Sequence, residues 1–317
     1  MWNNTGIVAT MKIRLTIFIG TLISFSSLAA AQAINEPAQG QGYKQTNTMG
    51  GGPATISTTG KLRVFLLAGQ SNMTGQGRAA ELKAPYNQPH KRIRLWANNR
   101  WEYFVPTKSF GPGLKMAHQL AEHWPEDTIG VIKVAIGGTG ILSFQPDWTM
   151  KSANRSKDGR KGDLYRDMTD AVKAAHKVSE FELEGFVWKQ GGKDMRFQEL
   201  ADEYLGNFEK MITALREDLD APAMPAFIAT YATRRQFEEF AGTINKGRPG
   251  AYAVIKAQLD AADKIPHVVT FSHGKLPCHN DGIHYNTEGQ LSLGGMVADA
   301  VEKYYAREEA HPDLNAS

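Results

Sequence analysis

Five short apolar runs are spaced along the chain between stretches of helical periodicity. They are Leu62 to Ala68, Ile129 to Ile136, Leu183 to Trp188, Ala226 to Tyr231 and His267 to Ser272. Each is too short and too continuously apolar for an amphipathic helix, so each is expected to be a buried strand. Between them, apolar residues recur every three or four positions. Gly113 to Trp124, Tyr165 to Val178, Asp202 to Asp218 and Ala251 to Ala262 are predicted helices, and a last one runs from about Glu288 to Arg307. Thr287 and Gln290 have capping-box spacing at its start. The alternation predicts an α/β chain: a parallel sheet of about five strands in a three-layer α/β/α sandwich. In such sheets ligands bind at the carboxyl ends of the strands. Chemistry is therefore expected just after Ala68, Ile136, Trp188, Tyr231 and Ser272.

The N-terminus departs from this pattern. Lys12 and Arg14 precede an apolar run from Leu15 to Leu28, and Ala31-Gln32-Ala33 fits an A-x-A cleavage site. Residues 1–33 are expected to be a signal peptide, with Met11 as the true start and the mature chain beginning near Ile34. The apolar run is too short, and too rich in Ser, Thr and Gly, for a membrane anchor. Residues 34–60, rich in Gly, Gln, Thr and Ser, read as a flexible leader, and 61–317 as one domain. The expected location is periplasmic or secreted, with no membrane anchor after cleavage.

Composition narrows the picture further. The 317 residues are 42% hydrophobic and 22% charged, which fits a globular chain with a substantial core. Of 36 basic residues, Lys12 and Arg14 fall in the signal segment, leaving 34 against 33 acidic ones. With near-neutral charge and no basic block, nucleic acid is not an expected partner. The single cysteine, Cys278, permits no intrachain disulfide.

Polar motifs fall where the sheet predicts chemistry. Gly69-Gln70-Ser71-Asn72-Met73 follows the first strand. A serine at a strand-to-helix turn suits a nucleophile, with backbone N–H groups beside it for an oxyanion; it also suits a plain helix cap. Met73 stands where a G-x-S-x-G elbow needs glycine, which argues against an α/β-hydrolase. Gly137-Gly138-Thr139-Gly140 follows the second strand and matches no phosphate-loop pattern. Gln190 follows the third. Asp281-Gly282-Ile283-His284 precedes the last helix, with His273 and His279 as nearby competitors. A serine needs an adjacent base, and a carboxylate three residues from a histidine can orient it. The group His273, Cys278, His279, Asp281 and His284 has no zinc-site spacing.

Together these motifs resemble the SGNH hydrolases, and within them the sialate O-acetylesterase and acetylxylan esterase group, carbohydrate esterase family 6. The residues carrying the resemblance are Gly69 to Met73, Gly137 to Thr139, Trp188 with Gln190, Gly191 and Asp194, and Asp281 to Tyr285. Phe110-Gly111-Pro112 and Gly162 to Tyr165 match intervening segments, so the likeness spans about residues 62–305. It implies a flavodoxin-like sheet and release of acetate from acetylated oligo- or polysaccharides, with no cofactor and no metal. By position, it makes Ser71 the nucleophile, His284 the base and Asp281 its orienting carboxylate. The Ser71 N–H, Gly137 or Gly138 and the Gln190 amide would form the oxyanion hole. Gln70, Asn72 and Trp148 are expected to meet substrate.

The third motif departs from the family. Where the family usually reads W-H-Q-G-E-x-D, this chain has Lys189 for the histidine and Gly192 for the glutamate, with Lys193 following. Two other readings follow: an SGNH esterase or lipase acting on other simple esters, or a non-catalytic sugar-binding protein on the same fold. Trp96, Trp101, Tyr103 and Phe104 could stack on sugar rings, but most of them are expected in the core; Arg92 and Arg94 are expected on a solvated face, and Tyr285 in packing.

Overall fold

All five apolar runs form strands of one seven-stranded sheet. A computed structural model of the chain describes residues 51–56, 59–239 and 247–310, all within one compact unit. The expected signal peptide and most of the leader lie outside the described residues.

In chain order the strands are β1 (Leu62–Gly69), β2 (Gly77–Arg78), β3 (Ile93–Ala97), β4 (Arg100–Tyr103), β5 (Ser109–Phe110), β6 (Thr128–Ala135), β7 (Glu182–Lys189), β8 (Ala226–Thr230) and β9 (Val268–Ser272). The helices are α1 (Ser71–Thr74), α2 (Gly113–His123), α3 (Met150–Ala153), α4 (Leu164–Val178), α5 (Gln198–Asp202), α6 (Tyr204–Asp218), α7 (Arg234–Glu239), α8 (Ala251–Lys264) and α9 (Thr287–Ala310). The main sheet runs β4-β3-β6-β1-β7-β8-β9 and is parallel except for β4. The five expected strands alone give the order 2-1-3-4-5, the flavodoxin-like winding, with β1 at its switch point. Strands β3 and β4 extend the β6 edge.

Alternate residues of each strand serve opposite faces. Val64, Leu66 and Ala68 pack with α4, α6 and α8, whereas Phe65 and Leu67 pack with α2 and α9. The result is a three-layer α/β/α sandwich. Register then places the chemistry. Gly69 is level with Ala135 of β6 and with Lys189 of β7, so three motif loops leave the sheet at one height. Gly69 must be glycine: a Cβ there would stand 2.1 Å from the Lys189 carbonyl oxygen.

Two expectations change. Arg94 is 3% exposed rather than solvated. Its guanidinium donates to the carbonyls of Thr55, His90, Lys91 and Ile93 and lies over the Tyr103 ring. Backbone acceptors make that burial affordable. The cap of α9 also shifts by one residue. Asn286 Oδ1 accepts the Gly289 N–H, while Thr287 Oγ1 accepts from the Arg78 N–H and donates to Glu81. Gln290 is fully buried and reaches back to no capping partner.

Candidate active site

At the C-terminal ends of β1, β6 and β7 lies a cleft of about 470 Å³. Ser71, Gly137, Gly138 and His284 line it together, so residues more than 200 positions apart in sequence meet in one place. Ser71 opens the short turn α1, where the first N–H groups have no intrahelical acceptor. A Cβ built on Gly137 would come 3.9 Å from that of Ser71, which puts the glycine loop beside the serine.

Asp281 and His284 form a local unit. Asp281 Oδ1 accepts the backbone N–H groups of Ile283 and His284, each at 2.9 Å, and Oδ2 lies 2.6 Å from His284 Nδ1. The His284 and Ile283 backbone N–H groups, and then the imidazole, hold the Asp281 carboxyl well below the usual carboxylate range. An ionised partner on Nδ1 keeps the proton there and leaves Nε2 as the basic nitrogen. The competing histidines are occupied. His273 is buried, with Nδ1 on the Gly274 carbonyl and Nε2 3.2 Å from the Tyr285 hydroxyl. His279 Nε2 sits 2.9 Å from the Gln76 carbonyl.

Asn72 joins the two halves of the site. It is 4% exposed; Nδ2 donates to the Ile283 carbonyl and Oδ1 accepts the Tyr285 N–H, at 3.1 and 3.0 Å. The residue expected to meet substrate thus brackets the His284 backbone and ties it to α1. Tyr285 packs, as expected of it, with 4% exposure.

Gln190 takes a different place from the expected one. It is 1% exposed, and Nε2 donates to the Thr139 carbonyl at 2.8 Å and to Asp194 Oδ2 at 2.5 Å. Its Oε1 accepts from the Tyr204 hydroxyl. Both amide hydrogens are committed, so in this arrangement Gln190 braces the glycine loop from behind rather than offering a donor to the cleft. Asp194, also fully buried, accepts the Ile141 N–H; burial pushes its carboxyl up to about 7. Trp148 is half-buried and does not line this cleft. Trp96, Trp101 and Phe104 are buried in the core.

The altered third motif is readable in the structure. Lys189 is buried below the cleft. Its Nζ donates to the Ala229 carbonyl at 3.2 Å and lies 3.8 Å from the Tyr231 ring centroid. Burial pushes its ammonium down to about 7. A Cβ on Gly192 would meet Gln70 Nε2 at 2.9 Å, and Gln70 Oε1 accepts the Lys193 N–H. The Gln70 amide therefore occupies the space into which a residue-192 side chain would start. Lys193 reaches the cleft wall.

Lys189 makes a stability prediction with a definite sign. Its folded value, about 7, lies below the ordinary lysine value. Between the two, the unfolded chain holds the extra proton, so stability rises with pH across that window; at and below pH 7 the buried charge costs most. Lys189→Met is expected to raise Tm by about 5 °C at pH 7. The gain should shrink towards pH 10. Melting curves at several pH values check this; a pH-independent difference would contradict it.

Comparison with known proteins agrees with this architecture. Residues 61–303 match the model of the family described as carbohydrate esterase, sialic acid-specific acetylesterase. A protein named "Probable carbohydrate esterase" from Arabidopsis thaliana is 28% identical over 262 residues, covering 75% of this chain and 89% of that one. Its crystal structure superposes with a TM-score of 0.62 at 24% identity, over 77% of this chain and 98% of that one. The structure of NanS gives 0.57 at 15% identity, over 80% and 100% of the two chains. A carbohydrate acetylesterase from Xanthomonas citri gives 0.54 at 19% identity, over 79% of this chain and 56% of that one. The chain belongs to the sialic acid-specific acetylesterase family of carbohydrate esterases, and is a carboxylic ester hydrolase of the SGNH fold.

Proposed function

We propose that this chain is an exported serine esterase that removes O-acetyl groups from carbohydrates through an acetyl-serine intermediate. The observation that carries the proposal is the meeting of Ser71, the Gly137-Gly138 loop and the Asp281-oriented His284 in one cleft. In the first step His284 Nε2 takes the Ser71 Oγ proton as Oγ bonds to the acetyl carbon. The carbonyl electron pair moves onto oxygen, where the N–H groups of Ser71 and the glycine loop can receive it. The bond from carbon to the sugar oxygen then breaks, and that oxygen takes the proton from His284. Water repeats the sequence: His284 takes its proton, its oxygen adds to the acetyl carbon, the bond to Ser71 breaks, and Oγ regains the proton as acetate leaves.

The cleft walls favour an acidic sugar. Lys193, Arg196 and Arg248 line the cleft, and no carboxylate does so among the described residues. Arg196 and Arg248 have no ion-pair partner among those residues, so both guanidiniums are available to a substrate carboxylate. The family's name points to sialic acid, which carries one. Export rests on the sequence of residues 1–33; among the described residues, no helix is long and apolar enough to cross a membrane.

The test is acetate release from a panel of acetylated neutral and acidic sugars. Release from O-acetylated sialic acid is expected to lead the panel. Arg248→Ala should raise KM for that substrate by about tenfold, the worth of one charge-assisted hydrogen bond, and leave p-nitrophenyl acetate unchanged. An equal KM change on both esters would contradict the anion role. Glycan binding without acetate release from any substrate would favour a binding protein.

A further inference from the structure

The chain from Met150 to Lys161 makes a short helix and two tight turns and carries no motif. Its last residues nonetheless return to the active site. Lys161 Nζ donates to the carbonyl oxygens of Gly137 and Gly138, at 2.9 and 2.5 Å, and lies 2.8 Å from Asp158 Oδ1. Asp158 is 1% exposed, and its other oxygen accepts the Gly140 N–H at 2.9 Å. One buried carboxylate thus anchors the lysine and pins the far end of the glycine loop.

The geometry of the peptide bond makes this grip directional. In a trans peptide the carbonyl and the following N–H point in opposite directions. Holding the Gly137 oxygen therefore fixes the Gly138 N–H on the side away from Lys161. Gln190 holds the Thr139 oxygen in the same way, and the N–H that follows, that of Gly140, falls on Asp158. Lys161 thus holds the Gly137 and Gly138 carbonyls, and Gln190 the Thr139 carbonyl. A Cβ on Gly138 would stand 3.7 Å from Lys161 Nζ, whereas one on Gly137 faces Ser71. The loop lies between the lysine and the serine. Gly138 has φ +63°, a conformation in which glycine meets no steric penalty.

We propose that Lys161, set by Asp158, is a positioning residue for acyl transfer: it turns the Gly137 carbonyl outward so that the Gly138 N–H faces the oxyanion formed at Ser71. This rests on Ser71 being the nucleophile. The ammonium also polarises the peptide it holds, which strengthens the N–H as a donor. Between the two glycines of the loop, the grip selects Gly138. The role could not be found from motif spacing, because Lys161 sits in a polar stretch, 23 positions beyond the glycine it holds.

The test compares Lys161→Met, Lys161→Gln and Lys161→Arg with wild type and Ser71→Ala for acetate release from p-nitrophenyl acetate, with Tm recorded for each. Losing an oxyanion donor outright costs about 100- to 1000-fold. Misaiming one is expected to lower kcat by about 10- to 100-fold in Lys161→Met, with KM within about twofold. Lys161→Arg, which keeps charge and donors, should recover most of kcat. Lys161→Gln, which loses the charge, should fall between, and it carries the test if Lys161→Met does not fold. Unimpaired kcat in both Lys161→Met and Lys161→Gln, or a loss confined to KM, would overturn the proposal while an inactive Ser71→Ala left the serine mechanism standing. Full activity in Ser71→Ala would overturn both.

Discussion

Replacing Ser71 with alanine is expected to lower kcat for acetate release by about a million-fold, the scale seen when a nucleophile is removed from a comparable triad. The fold should survive. Ser71 Oγ has no hydrogen-bond partner among the described residues, so its removal leaves no buried polar group unsatisfied. The turn that presents it is held by other atoms. The Met73 and Thr74 N–H groups bind the Gln70 carbonyl, and Asn72 ties the turn to the His284 loop. An unchanged Tm beside a lost kcat would place the effect in the chemistry. A variant retaining wild-type kcat would remove the serine from the mechanism.

Asp281→Asn is expected to have the second largest effect, lowering kcat by about 1000- to 10,000-fold. The carboxylate does two things at once. Its Oδ1 gathers the Ile283 and His284 N–H groups into the turn, and its Oδ2 keeps the proton on His284 Nδ1. An asparagine oxygen can preserve the first contact. The amide nitrogen then faces Nδ1 as a donor, which favours the tautomer with the proton on Nε2, where no proton can be accepted from serine. The effect should fall at the lower end of the range, because Asp281 is solvent-exposed and water competes for the ring. The pH profile offers a second check. With the Asp281 carboxyl held well below its usual range, protonation of that group should not shape the acid limb of kcat/KM near neutrality. Its folded value is depressed, so its stabilising contribution is present above the unfolded aspartate value and lost only as pH falls through the folded one.

Much of the fold was legible because its signal is local. A strand buried on both faces has to be apolar throughout; all five apolar runs proved to be strands of the sheet, the last of them, β9, at its edge and only half-buried. β3 and β4 escaped for a physical reason. Arg92 and Arg94 interrupt the apolar pattern, and sequence does not reveal that four backbone carbonyls await the Arg94 guanidinium. The active-site candidates were legible for a different reason: a parallel sheet gathers its strand ends, so Ser71, Gly137, Gly138 and His284 could be expected together. What could not be read was the use made of each side chain. Gln190 stands at the expected strand end, yet its amide turns back onto Thr139 and Asp194. Asn72 fastens the histidine loop. These outcomes depend on rotamer and on the partner each group meets, and both are set by the folded chain. Lys189 shows the same limit: its place in the third motif does not tell where its ammonium points, and the structure puts it beneath the cleft, against Tyr231.

The most direct test of the central claim is covalent. Treatment of the wild-type enzyme with a fluorophosphonate, followed by peptide mapping and acetate-release assays, asks which serine is activated. The serine mechanism predicts one label, on Ser71, with acetate release lost in proportion to labelling and no label in Ser71→Ala. Undiminished acetate release after treatment, or loss of activity with the label on another residue, would contradict it.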